Sequence, residues 1–217
     1  MPTTLTAPAH FAEDFQLLAA ELNSAFMNAD LFDCLFDDSN SGPLNQASPW
    51  FFRTVQDLLF DDLILTISRL TDASTTLGRS NLTLARLVET IDRGRFSETR
   101  EGADATLRKI AEVAAKLREH RNQRLAHKDL LASRVSGAPA ESPAALFLNP
   151  GLPPVGMVHI REALVLAEQA LSLVSQHHTG TPFLHSSSID VPRAVSNLVE
   201  ALSAVAFGTE PPLGERP

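Results

Sequence analysis

No tyrosine occurs anywhere in the 217 residues, so a phenolate nucleophile and a tyrosine stacking platform are both excluded, and ring stacking falls to Phe, His or Trp50. Cysteine occurs once, at Cys34, which excludes an internal disulfide and a cysteine-based zinc site and fits a reducing compartment. Cys34 itself reads as a small hydrophobe. No apolar run approaches the roughly 20 residues needed to span a bilayer. The stretch Met1–Phe15 lacks the basic-then-apolar order of a secretion signal, so the expected location is the cytoplasm, with no membrane partner. A glycine-rich phosphate loop, an internal repeat and any strand-type alternation longer than four residues are also missing. Lys and Arg are absent before Arg53, where seven acids stand (Glu13, Asp14, Glu21, Asp30, Asp33, Asp37 and Asp38).

A chain of this length, 44% hydrophobic, can bury a real core and most simply makes one domain. The net charge of −8 argues against non-specific nucleic-acid binding over the whole surface. Charge is uneven, however: Arg86–Arg134 holds twelve of the eighteen basic residues against eight acids. That run is either a solvated helix face or a local anion site on an acidic protein.

Hydrophobic periodicity predicts helices almost throughout. Phe11, Phe15, Leu18, Leu22, Phe26, Ala29, Phe32 and Phe36 form one apolar stripe on a long first helix bracketed by Pro8 and Pro43. After a loop at residues 37–49, a helix apolar nearly all round runs from about Trp50 to Leu70. A third, capped by Ser80 or Asn81, passes through Leu84, Leu87, Val88 and Ile91 and ends at Gly94. A fourth covers about Ala103–Leu131. The segment Ser133–Pro154 has five prolines and two glycines and reads as a long loop. A fifth helix covers Met157–Gln176, and Asp190 caps a sixth through Leu202 and Val205. The expected organisation is all-α: one helical domain over residues 1–207, with a core at about 9–131, a C-terminal extension at about 157–207 and a disordered tail at 208–217.

At about 100° per residue, Ile110, Ala114, Leu117 and Leu125 share one arc of the fourth helix, and Arg121 falls inside it. A guanidinium in such a seam needs an acid, a water-filled interface or a bound anion. On the second helix, the arc of Phe51, Val55, Leu58 and Leu59 also takes in Asp62, Thr66 and Arg69. Asp62 is therefore expected to meet Arg121 or a histidine, with an Asp62–Arg69 pair through Thr66 as the internal alternative.

His127 is the natural acid/base candidate, because histidine's unshifted pKa of about 6.5 lets it take or give a proton near neutrality. Arg121 and His127 are six positions apart, about 240° and about 9 Å on one helix, so a single chain does not close the pair. Two copies of the helix around a two-fold axis do. The alternative is that His120, Arg121, Arg124, His127 and Lys128 merely place positive charge near a helix C-terminus.

The stretch Arg121–His127, RNQRLAH, resembles the signature of the HEPN superfamily: an arginine, a polar residue (Asn122) and a histidine after five intervening positions. Together with DDLILTISRLTD and NLTLARLVETI, the long helix ending in LREHRNQRLAHKDL looks like the abortive-infection AbiU-type branch. The likeness covers about Trp50–Leu130 well, the first helix less closely and the part after Leu131 poorly. It implies a helical bundle that dimerises through the motif helix and, in active members, a metal-independent ribonuclease of the defence or toxin type, without a cofactor and with RNA as substrate and an antitoxin protein as a partner. On the matched positions, His127 transfers the proton, Arg121 stabilises phosphorane charge and Asn122 orients phosphate or imidazole. His120 is a second proton carrier on this reading, and Arg124 and Lys128 hold substrate phosphates. The competing class is a non-catalytic HEPN dimer that binds nucleotide, RNA or protein, its Arg–Asn–His set serving as a buried polar network.

Other clusters carry less. His177, His178 and His185 lack a partner at metal-ligand spacing and read as an exposed helix end. The acid pairs Asp61–Asp62 and Asp37–Asp38 read as surface charge rather than Mg²⁺ sites. Ser186–Ser188 reads as a polar joint.

Overall fold

The computed structural model describes residues 10–122, 155–186 and 189–206. The helices in them are α1 (Phe11–Leu35), α2 (Ser41–Ala47), α3 (Pro49–Leu70), α4 (Leu84–Val88), α5 (Ser97–His120), α6 (Met157–Thr179) and α7 (Val191–Ala206). The chain is predominantly helical, as the periodicity predicts. It divides into two contact-dense units, one of residues 1–26 and 61–186 and the other of 27–60 and 187–217.

In the first unit, α5 and α6 make the most extensive helix–helix contact. The buried side chains of α5 are Arg100, Ala103, Ile110, Ala114, Leu117 and His120, and those of α6 run from Ile160 to Ser175. Small residues recur on both faces, with Ala103 and Ala114 buried on α5 and Ala163, Ala167 and Ala170 on α6. Leu18, Leu22, Leu63, Ile64, Ile67, Leu84 and Leu87 complete this core. Each such side chain contributes about 1.5–3 kcal/mol by leaving water. The second unit has its own small core of Leu35, Leu44, Phe52, Val191 and Val195, with Cys34 packed against it.

Helix ends follow local chemistry. Thr83 caps α4, its hydroxyl accepting from the Arg86 amide at 3.4 Å; Ser80 and Asn81, the expected caps, instead close a hairpin. That hairpin pairs β1 (Thr75–Thr76) antiparallel with β2 (Arg79–Ser80), and Leu77 and Gly78 turn with φ of 50° and 76°. Two positive φ values mark the type I′ turn that matches strand twist. Asp190 caps α7 as expected, accepting from the Arg193 amide at 3.1 Å. Gly180, φ 76°, ends α6 in the left-handed conformation.

Three expectations are corrected. Residues 37–49 are not a plain loop: a 3₁₀ turn at Asp38–Asn40 and the short helix α2 occupy them. The helix expected from Leu84 to Gly94 stops at Val88. On α3 the apolar arc drawn through Phe51 and Leu58 is the outer one, with Phe51 53% and Leu58 64% exposed, whereas Ser68, outside that arc, is buried. A helix apolar nearly all round gives the wheel no phase to lock onto.

Candidate functional site

The basic run on α4 and α5 spends several of its charges on structure. Arg86 Nε donates to Asp14 Oδ2 at 3.1 Å, and Arg93 pairs with Asp104. Buried Arg100 donates to Asp104 Oδ1 at 3.0 Å and to the Val88 carbonyl at 2.8 Å, an oxygen at the end of α4 that also accepts from the Ile91 amide. Arg118 does the same at the end of α3, donating to the Thr71 carbonyl at 2.5 Å and to Thr71 Oγ1 at 2.7 Å, with Asp72 Oδ1 3.6 Å from its Nε. Tertiary position thus separates structural arginines from the remainder of a run that composition treats alike.

At the end of α5 the chain passes through a π-type turn at Arg121 and Asn122. The Arg121 amide still closes the helix on the Leu117 carbonyl, and its Nε donates to Asn122 Oδ1 at 3.2 Å. Single π turns inside helices recur at functional sites, because the widened turn redirects side chains. Arg121 is half-buried and Asn122 exposed. The guanidinium expected deep in the seam therefore lies at its edge, while the adjacent His120, 1% exposed, is the enclosed side chain. The His120 ring is covered in this structure, so acting as a proton carrier or substrate contact would require that it be uncovered. His127, Arg124 and Lys128 lie outside the described residues.

Asp62 is exposed on α3, and the acid that Arg69 meets is Glu21 on α1, at 3.0 Å from Nε and 2.5 Å from Nη2. The Arg69–Thr66 bond of the internal alternative is present at 3.2 Å, but its carboxylate is not the expected one.

A family comparison decides what this helix end belongs to: the HEPN_AbiU2 family model, described as AbiU2, matches residues 12–199. The chain belongs to the AbiU2 family of HEPN-type proteins. The match includes α6 and most of α7, the part of the AbiU2 chain where the motif likeness is poor. Comparison with curated proteins and with solved structures finds no match.

Three described histidines of the AbiU2 chain, His177, His178 and His185, pack against other rings. His178 lies against Phe11, ring centroids 4.0 Å apart, and shares a 2.9 Å hydrogen bond with Thr90 Oγ1. Thr90 already donates its proton to the Leu87 carbonyl, so His178 donates from Nε2 and its buried Nδ1 is bare. Burial first, and then the neighbouring His177, push the His178 pKa down to about 4. Burial also lowers His177, opposed by Asp92. The exposed helix end expected at His177–His178 is thus a half-buried ring cluster completed by Phe96. His185 stacks on Phe26 at 3.9 Å, with Glu168 Oε1 2.8 Å from its Nδ1. No group of three or more His, Cys, Asp or Glu side chains among the described residues could hold a metal ion. No described helix is long and apolar enough to cross a membrane.

Proposed function

We propose that this AbiU2 protein is a metal-independent endoribonuclease of the HEPN defence or toxin type, with two copies joining Arg121, Asn122 and His127 into a composite site at a two-fold interface. The observation that carries this reading is the Arg121–Asn122 pair in a π-type turn at the end of α5. With Nε donating to Asn122 Oδ1, the terminal nitrogens are left to meet phosphate oxygens as a fork. In cleavage by the RNA's own hydroxyl, the 2′-oxygen attacks phosphorus and the P–O5′ bond breaks. His127 takes or returns the proton, typically a factor of about 10²–10⁴, and Arg121 stabilises charge on the phosphorane oxygens. RNA is the substrate, and a protein antitoxin is the partner expected of such a toxin.

Purified protein is expected to cleave RNA in EDTA, and His127→Ala to abolish cleavage while leaving the oligomer intact. Cleavage by that variant at the native rate removes His127 from the mechanism. A second reading, a non-catalytic HEPN dimer acting as a nucleotide, RNA or protein-binding module, draws support from enclosed His120 and from Arg100 and Arg118, which show α5 using polar groups as structure. It expects Arg121→Ala to lower the melting temperature or release monomers, with no RNA cleaved by the parent protein.

A further inference from the structure

A cavity of about 480 Å³ opens in the first unit between the end of α3, α4 and α5, lined by Thr71, Asp72, Ala85, Leu107, Ala111 and Arg118 among others. Its size lies in the roughly 300–1,000 Å³ range of small-molecule sites. The walls are aliphatic and the rim is polar: Arg118 is anchored on Thr71, and its Nε stands 3.6 Å from Asp72 Oδ1. The Asp72 side chain is 42% exposed, so the guanidinium steadies the carboxylate without covering it.

The cavity lies on the same helix as the motif. At about 100° per residue, Leu107, Ala111 and Arg118 fall within about 40° of one another on α5. Arg121 and Asn122 follow Arg118 by three and four residues, about 4.5–6 Å along the helix axis. That rise is comparable with one nucleotide step in an extended single strand, so a phosphate held at Arg121 leaves an adjoining base near the cavity mouth.

We propose that this cavity is the base-recognition subsite of the ribonuclease, taking a guanine that flanks the scissile phosphate, with Asp72 as its specificity-determining residue. The inference rests on the function proposed above. A carboxylate offers acceptors only. Guanine is the one RNA base whose Watson–Crick edge sets two donors, N1–H and the N2 amine, side by side. Adenine and cytosine set an amine beside an acceptor, and uracil flanks its imino group with two carbonyls. Leu107 and Ala111 offer apolar contact to the flat face, where many single-stranded RNA readers use an aromatic ring.

The test titrates full-length protein with GMP, IMP, AMP, CMP and UMP by NMR or calorimetry, alongside cleavage of RNAs of defined sequence. Ala111→Leu fills the mouth from an exposed position on α5, and Asp72→Asn exchanges an acceptor for a donor. GMP is expected to bind best, IMP (which lacks the N2 amine) less well, and each variant to weaken GMP by about tenfold or more, the scale of a lost bidentate base contact. In cleavage, both variants are expected to lose guanine preference while retaining the fold. GMP binding that Ala111→Leu abolishes, in a protein that cleaves no RNA, upholds the cavity and overturns only the ribonuclease reading. RNA cleavage with base preference unchanged in both variants overturns the subsite and leaves the ribonuclease. No mononucleotide binding, or equal binding of GMP and UMP, also overturns it.

Discussion

Arg100 and Arg121 stand on one helix beside apolar neighbours, and their surroundings give them opposite duties. Arg100 is enclosed and fully engaged with Asp104 and the Val88 carbonyl. Removing it takes away a buried charged donor, although the Val88 carbonyl keeps the Ile91 amide and Asp104 keeps Arg93. Arg100→Met is therefore expected to cost about 1.5–3 kcal/mol in chemical denaturation, with Arg100→Lys recovering only part because one ammonium cannot reproduce the fork. Arg121, at the seam's edge, is a better candidate for an external anion. Leu77 presents the simplest residue-scale case: it holds φ 50° while 99% exposed. Left-handed backbone costs an ordinary side chain about 1–2 kcal/mol, and nothing is buried in return. Leu77→Asn, the residue that type I′ turns favour before glycine, is expected to raise the melting temperature. An unchanged or lower value contradicts this account of the turn.

At the scale of elements, helix existence was legible and helix phase was not. The stripe from Phe11 to Phe32 reads correctly because polar residues separate its members, and the cap at Asp190 reads correctly because an Asx cap is a local bond. On α3, apolar residues on all sides erased the phase, so Asp62 was placed inward. The end of α6 carries its own test. Gly180 sits at φ 76°, and a Cβ there meets nothing within 4 Å, so Gly180→Ala isolates backbone strain at about 1 kcal/mol. Thr83→Ala at the start of α4 should cost about 0.5–2 kcal/mol as a lost cap. Both are read from urea midpoints with unchanged m-values.

For the whole molecule, the ring cluster links α1, α6 and the α4–α5 connection to pH. His178, at about 4 in the folded chain, and His177, lowered in the same direction, both have folded values below the ordinary 6.5. Between about 4 and 6.5 the unfolded chain binds more protons, so stability is fully present above about 6.5 and is lost as pH falls towards 4. Allowing for partial solvent access, the loss is about 1–2 kcal/mol. His178→Phe keeps a ring against Phe11 and is expected to flatten that slope, measured as urea midpoints at pH 7 and pH 4.5. The proposed composite site has a complementation test. Arg121→Ala and His127→Ala proteins, each inactive alone, are expected to regain cleavage when mixed and allowed to exchange subunits, since one site per mixed dimer has both native groups. No recovery despite demonstrated exchange rules out a site shared between copies.

The sequence by itself determined the helical class, the placement of most helices, the cap of α7 and the Arg–Asn–His pattern of the HEPN resemblance, because each depends on neighbours within a few positions along the chain. Tertiary structure alone decided that His120 rather than Arg121 is enclosed, that Glu21 and not Asp62 meets Arg69, and that Arg118 and Asp72 line one cavity with residues of α4 and α5. Those outcomes depend on which elements cover which faces. Burial and charge pairing are set across separations in sequence that no local period encodes.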